Sequence, residues 1–433
     1  MGLIIDLFAG GGGASTGIEA AIGRPIDIAV NHDPEAIRMY KVNHPETRTL
    51  TEDVFDVDLE FYVNGKSVDL LWGSPDCTHF SKARGTKPKD QGIRVLPWAV
   101  HKHCKKLVPE MVIMENVEEI QTWGDLDEHG RPIKEEAGKE YDRFITAMIN
   151  LGYEFESKVL CAADFGAPTT RTRWYAVFKR HSQPRWMEQS HNKNGDEGKK
   201  KWLECGDYID WSNLGRSIFR RKKPLAEKTM NRIARGLDKF VINNDSPYRV
   251  KDEDAYAYLI QYHSETNPRE VRGQALDIPI QTLDTSNRYG LVTAFVTKFY
   301  KSGTGQGCDE PLHTITTSPG HFGIVSAWLT KYYGCSTAQG VDVPLDTITT
   351  KDRFALTSAV IEIDDDLWKV RDIFLRMLQP EELKRLQGFP EEYIIDHDID
   401  GKRYTVKEQV AKIGNSVVPL MAQKIVEVNM KGA

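Results

Sequence analysis

Cysteine is scarce and scattered. The six residues, Cys77, Cys104, Cys161, Cys205, Cys308 and Cys335, include no CxxC pair, which excludes a zinc ribbon or a disulfide framework and leaves mostly reduced thiols. No apolar run approaches the ~18 residues of a membrane span. The opening Met1-Gly2-Leu3-Ile4-Ile5-Asp6 lacks the basic region of a signal peptide and runs straight into a glycine loop. The expectations are therefore no membrane, no metal and a cytoplasmic location. Strong charge of one sign is also missing: 57 Lys and Arg against 63 Asp and Glu give a net charge of −6, so the total points to no class of partner. Absent too are Gly-x-Gly-x-x-Gly and Gly-x-x-x-x-Gly-Lys, the registers that cradle dinucleotide and nucleotide phosphates.

At 433 residues, the chain exceeds one ordinary compact domain, and two units are expected, one of them split in sequence. Short apolar segments at Leu3–Leu7, Ile26–Val30, Val68–Trp72, Met111–Met114, Tyr153–Leu160 and Trp174–Phe178 read as strands. Helical patterns at Ser15–Ile22, Pro34–Asn43, Leu96–Leu107 and Tyr141–Leu151 fall between them. That alternation is the pattern of a wound, mainly parallel α/β sheet, in which ligands sit at the carboxyl ends of the strands. Past residue 180 the texture changes. From Lys179 to Lys239 there are 16 Lys and Arg against 8 Asp and Glu, a local excess of +8, suited to phosphates or to a solvated helical face. Three Pro-started, Thr-rich units follow at 279–285, 311–317 and 344–350; their β-branched content reads as short strands of an irregular β module or its scaffolding. Helix returns at Pro380–Leu386 and Val417–Val428. Residues 1–180 and 371–433 are thus expected to form one domain and 181–370 another.

The reactive side chains cluster at strand exits. Asp6-Leu7-Phe8-Ala9-Gly10-Gly11-Gly12-Gly13 is a strand followed at once by a glycine turn, where a non-phosphorylated nucleoside could approach the backbone closely; a purely structural turn is the alternative. Asn31-His32-Asp33 and Glu52-Asp53-Val54 end the next strands and suit polar contacts with a ribose and a base, or are solvated loops. Gly73-Ser74-Pro75-Asp76-Cys77-Thr78-His79 leaves an apolar strand, which puts the Cys77 thiol in a polar loop suited to nucleophilic chemistry. His79 invites a Cys–His hydrolase reading, although that spacing assures no ion pair. His101, His103 and Cys104 imitate metal ligands but lack an outlying partner pair, so helix surface is expected. Glu115, in Glu115-Asn116-Val117, closes another apolar strand and could donate or share a proton. Arg171 and Arg173 precede a strand, and alternation would send both to one face to bind phosphate or orient the carboxyl group.

Taken in order, Phe8-x-Gly10, Pro75-x-Cys77, Glu115-Asn116-Val117, Arg171-x-Arg173, Arg385-Leu386-Gln387-Gly388-Phe389-Pro390 and Gly414-Asn415-Ser416-Val417-Val418-Pro419 resemble the cytosine-C5 DNA methyltransferase family. The likeness covers about residues 1–180 and 371–433. It implies a Rossmann-like, class I S-adenosylmethionine-dependent methyltransferase sheet of α/β class, with an inserted, largely β target-recognition domain at 181–370. Residue by residue, it makes Cys77 the nucleophile, Glu115 the proton donor, and Arg171 and Arg173 the supporting cations. Phe8, Gly10, Gly13, Asn31, His32, Asp53, Val54, Pro75, Asn415 and Ser416 would line the S-adenosylmethionine site. The sequence departs from the family pattern at Asp76, Thr78, Asn31 and Thr169.

The resemblance further implies double-stranded DNA as partner, a monomer on that DNA, a flipped target base, and a cognate restriction endonuclease acting separately. A tRNA cytosine-5 methyltransferase on the same core and a catalytically silent DNA-binding module are the competing expectations. The large middle region favours duplex DNA over tRNA.

Overall fold

The computed structural model describes residues 2–76, 80, 91–219, 221–251, 255–262, 272–298, 328–331, 339–340, 354–356, 360–363 and 366–430. Two compact units are present. Unit 1 holds Met1–Tyr208, Ile278–Asn287 and Gln379–Ala433; unit 2 holds Ile209–Asp277 and Arg288–Leu378. Relative to boundaries at 180/181 and 370/371, residues 181–208 and 278–287 fall in unit 1, and 371–378 fall in unit 2. Hydrogen bonding explains both shifts: Cys205 N–H donates to Ile278 O within unit 1, and the last strand of unit 2 stays paired through Met377.

Unit 1 is built on seven strands, β1 (Leu3–Leu7), β2 (Ile28–Val30), β3 (Arg48–Leu50), β4 (Val68–Gly73), β5 (Met111–Asn116), β6 (Glu154–Cys161) and β7 (Thr172–Lys179), in the order β3-β2-β1-β4-β5-β7-β6. The first five are parallel, whereas β7 runs antiparallel to both β5 and β6. All six residues of β5 are buried, as expected for a parallel strand covered on both faces. Strand alternation sends Ile4, Leu70, Trp72, Ile113, Tyr175 and Val177 to one core. It sends Ile5, Leu7, Leu71, Val112, Met114, Trp174 and Phe178 to the other.

Helices α1 (Gly13–Ile22), α2 (Pro34–Asn43), α3 (Leu59–Val63), α4 (Gln91–Arg94), α5 (Pro97–Leu107) and α6 (Lys139–Ile149) connect the strands. Helix α2 starts where the sequence says it should: Asp33 caps it by accepting from the Glu35 N–H, and Pro34 supplies a first residue with pre-set φ. A two-residue pair, β8 (His191–Asn192) with β9 (Lys200–Lys201), completes the 181–208 extension.

In unit 2, β10 (Arg216–Ser217), helix α7 (Glu227–Leu237), β11 (Ala255–Gln261), β12 (Gly273–Gln274) and β13 (Tyr289–Lys298) precede β14 (Trp328–Lys331), β15 (Gln339–Gly340), β16 (Phe354–Leu356), β17 (Val360–Ile363) and β18 (Asp366–Met377). The main sheet is antiparallel, in the order β10-β18-β13-β11-β12, with β17 added on β18. Its core of Ile218, Ile233, Phe240, Tyr258, Val292 and Leu375 joins α7 to the sheet, and the Tyr258 hydroxyl donates to Ile233 O at 2.5 Å. The basic stretch 179–239 is divided between the units. Part of its charge is already engaged: Arg221 donates to Ser217 O, Arg216 O and Leu375 O. The Thr-rich units 311–317 and 344–350 lie outside the described residues. The first, 279–285, belongs to unit 1 rather than to the second domain in which it was expected.

The chain returns to unit 1 with α8 (Pro380–Leu386), α9 (Val406–Gly414) and α10 (Pro419–Met430). Thr405 and Glu408 form a reciprocal capping box at the start of α9. Helix α10 packs on α1 through Met421, Ala422, Ile425 and Val426 against Ala14, Ile18 and Ala21.

Candidate active site

Because β3, β2, β1, β4 and β5 are parallel, their carboxyl ends lie along one sheet edge, and the antiparallel β7 enters at that same edge. Phe8, Gly10 and Gly13 follow β1; Asn31 and His32 follow β2; Asp53 and Val54 follow β3; Pro75 follows β4; Glu115 closes β5; and Arg173 opens β7. One edge therefore collects most of the side chains singled out from the sequence. Backbone bonds lock the exits to each other: Ala9 N–H donates to Val30 O, Asn31 N–H to Leu50 O, and Ser74 N–H to Leu7 O.

The turn after β1 holds Phe8 at φ 65, a left-handed conformation for a non-glycine residue, which costs of order 1–3 kcal/mol and clusters at ligand sites. Two glycines in this turn are needed for different reasons. A Cβ on Gly10 would meet nothing nearer than Phe8 O at 3.6 Å, so the Gly10 face is open to an approaching ligand. A Cβ on Gly13 would meet Ser416 Oγ and Val417 O, each at 2.2 Å. There Ser416 Oγ accepts from the Gly13 N–H at 3.1 Å, and Gln387 holds Ser416 O from the other side at 2.9 Å. Gly13 and Ser416 thus clamp together two segments 403 residues apart.

Gly13→Ala is expected to lower unfolding free energy by about 1–3 kcal/mol through this clash, and Gly10→Ala by about 1–2 kcal/mol from its positive φ alone. Gly10→Ala should nevertheless obstruct a ligand laid against this turn more than Gly13→Ala does. Thermal denaturation alongside calorimetric titration separates the two effects.

Asp6, which sequence reasoning left out of the site, sits fully buried under this turn. Ser15 hydroxyl donates to it at 2.6 Å and Tyr40 hydroxyl donates to Ser15. Burial pushes the Asp6 carboxyl up to about 7, against the Ser15 hydrogen bond and with help from the Glu19 charge. With the folded value raised above the unfolded one, the stability it confers is complete below the ordinary carboxylate range and falls away as pH rises through about 7. Asp6→Asn should therefore gain stability relative to the parent between pH 4 and pH 8, by about 1.4 kcal/mol for each pH unit separating the folded and unfolded pKa of the parent carboxyl. Denaturant titrations at the two pH values check this; an equal difference at both would refute it.

The loops after β2 and β3 are held by their neighbours. Asn31 Oδ1 accepts from the Asp33 N–H at 2.8 Å. His32 and Asp53 are exposed, and Val54 is buried. Val54 O faces the ring nitrogen Nε2 of His103 at 2.7 Å. His103 and Cys104, expected on a helix surface, are each 1% exposed, because α5 turns that face to the core beneath the loop after β3. Among the described residues no group of three or more His, Cys, Asp or Glu could hold a metal ion. Burial pushes the Cys104 and Cys161 thiols up, which leaves them poor nucleophiles.

Cys77, Thr78, His79 and residues 81–90 lie outside the described residues. The approach to Cys77 is nonetheless defined. Buried Asn116 donates through Nδ2 to Pro75 O at 3.0 Å, and its Oδ1 accepts from the Val117 N–H. The residue after Glu115 thus ties the β5 exit to the β4 exit. Asn116 was legible as part of a motif, but its partner was not. Glu115 Oε1 lies 3.2 Å from Arg173 Nε, with both side chains largely buried at 9% and 11% exposure. Arg173 Nη1 donates to Thr172 O at 2.8 Å, which fixes the guanidinium beside the carboxyl group. Arg171, expected to share the support of Glu115, donates through Nη1 to Leu283 O at 3.1 Å. Asn415 is exposed at the end of α9, and Ser416 is buried beside Gly13.

A doubly covered, mainly parallel sheet with its reactive side chains on one carboxyl edge is a Rossmann-like α/β architecture, in which ligands sit at that edge. The family model described as C-5 cytosine-specific DNA methylase matches residues 3–431, and the chain belongs to that family. The Type II methyltransferase M.AquIA of Picosynechococcus sp. is 31% identical over 189 residues, covering 41% of this chain and 71% of the relative. The Type II methyltransferase M1.HphI of Haemophilus parahaemolyticus is 29% identical over 275 residues, covering 60% and 68%. Among solved structures, a Spodoptera frugiperda DNMT2 superposes with a TM-score of 0.51 at 14% identity over 98% of this chain and 99% of that one. That likeness concerns the fold. No helix among the described residues is long and apolar enough to cross a membrane.

Proposed function

We propose that the chain transfers a methyl group from S-adenosylmethionine to carbon 5 of a cytosine flipped out of a specific double-stranded DNA sequence, through a covalent adduct on Cys77. The observation that carries this reading is the buried Glu115–Arg173 pair, next in chain to Asn116, which secures the Pro75 loop two residues before Cys77.

Carbon 5 of cytosine is a weak nucleophile within an aromatic ring. Addition of the Cys77 thiolate to carbon 6 breaks the 5,6 double bond and moves electron density toward carbon 5 and ring nitrogen 3. Glu115 donates or shares a proton at that nitrogen, and Arg173 holds the carboxyl group in place as charge develops. S-adenosylmethionine supplies, when bound, an electrophilic methyl group on a sulfonium. Once carbon 5 carries the methyl group, loss of its proton to water and departure of the Cys77 thiolate from carbon 6 restore the aromatic ring. Both ring faces must be reached, so the base must leave the stack.

The open Gly10 face and the left-handed Phe8 fit a nucleoside laid against the β1 turn. Asn31, His32, Asp53, Val54, Pro75 and Asn415 border the same region in this reading. Unit 2 is assigned the reading of the DNA sequence. Labelled methyl transfer to duplex DNA and to tRNA, followed by single-base methylation sequencing of the DNA, tests the assignment. Transfer to tRNA alone, or to no cytosine carbon 5, would overturn it.

A further inference from the structure

Residues 278–287 lie in sequence between β12 and β13 of unit 2, yet they are part of unit 1. The chain leaves unit 2, docks on unit 1 for one short segment, and returns. The docking is specific. Thr170 N–H donates to Ile280 O at 2.8 Å and Ile280 N–H donates to Pro168 O at 3.0 Å, a parallel bridge against the residues just before β7. Pro279, Ile280 and Leu283 are buried, whereas Gln281, Thr282 and Thr285 are exposed. On the far side, a Cβ on Gly414 would meet Asp284 O at 2.0 Å, so the segment lies directly on the backbone at the end of α9.

We propose that Arg171 is a positioning residue that clasps this segment to the candidate active site. Arg171, 4% exposed, donates through its guanidinium to Leu283 O, while Arg173, two residues on, makes the ion pair with Glu115. The two arginines of the motif thus divide the work. Arg173 serves the carboxyl group, and Arg171 serves a segment covalently continuous with unit 2 at both ends. A charged donor to a buried carbonyl is a strong anchor, and its removal leaves that carbonyl without its charge-assisted bond. Any DNA contact made by the exposed side chains of 281–285 would then depend on Arg171, although Arg171 itself is buried.

The kinetic arm of the test rests on the methyltransferase reading; the structural arm does not. In hydrogen–deuterium exchange on the protein without DNA or cofactor, Arg171→Ala should speed exchange at the Thr170 and Ile280 amides. Arg173→Ala should leave both protected. In turnover assays, Arg171→Ala should raise KM for DNA roughly tenfold while kcat changes by less than about threefold and cofactor affinity holds. Arg173→Ala should act on kcat instead. Arg171→Lys, which keeps a donor, should restore part of the KM loss. Gly414→Ala attacks the same segment from the opposite side and should match Arg171→Ala in both readouts, keeping the test sound if Arg171→Ala fails to fold. Protected amides in Arg171→Ala and Gly414→Ala, or a fall in kcat with unchanged KM in both arginine variants, would overturn the proposal. A parent protein that methylates no DNA while its exchange pattern behaves as stated would count against the proposed function alone.

Discussion

Cys77→Ala is expected to abolish methyl transfer, by at least about a thousandfold, because no other group in the proposed mechanism can open the 5,6 double bond. Cofactor binding should survive, since the β1 turn, the Asp6–Ser15–Tyr40 network and the Gly13–Ser416 clamp do not include the thiol. The cysteines at 104 and 161 cannot substitute, because burial pushes their thiols up. Radiolabel incorporation into duplex DNA, measured beside calorimetric titration of the cofactor, gives both halves of the expectation. The complementary experiment uses DNA carrying 5-fluorocytosine at the target: with no proton to lose from carbon 5, the adduct should accumulate and migrate as a cross-linked species. Methylation by Cys77→Ala at close to the parental rate would eliminate the assigned nucleophile.

Glu115→Gln should slow turnover by about a hundredfold or more, the scale of lost general acid assistance. The amide preserves shape and can still donate a hydrogen bond, but it cannot transfer a proton to the ring. The 3.2 Å pairing with Arg173 predicts where the loss appears. Single-turnover rates should fall while KM for DNA stays near the parental value, because the carboxyl group acts as charge develops and not when the duplex is first engaged. A single-turnover rate equal to that of the parent would remove Glu115 from the chemistry.

Much of this was legible in the sequence, for a physical reason. The parallel strands β1, β4 and β5 are largely buried on both faces, so they appear as mainly apolar runs, interrupted only by Asp6 in β1 and Asp69 in β4, that end in functional residues. Boundaries moved by a residue or two: β2 begins at Ile28 rather than Ile26, and β7 spans Thr172–Lys179 rather than Trp174–Phe178. The direction of β7 was not legible, since alternation is the same in parallel and antiparallel strands. Nor were the partners of the motif residues. The separations, 112 residues for Arg171 and Leu283 and 403 for Gly13 and Ser416, carry no local pattern. The buried Asp6 reads in sequence as an ordinary strand-end carboxylate; only its enclosure by Ser15, Tyr40 and Glu19 distinguishes it.

The clamp between Gly13 and Ser416 has a consequence for the order of synthesis. The glycine turn receives its supports from residues made long after it: Tyr393 donates to Gly11 O, and Ser416 accepts from the Gly13 N–H. A nascent chain halted between β7 and Tyr393 has strands β1 to β7, yet its glycine turn lacks both supports. Methylating competence should therefore switch on during translation only once α8, α9 and α10 have emerged and folded back onto the β1 turn.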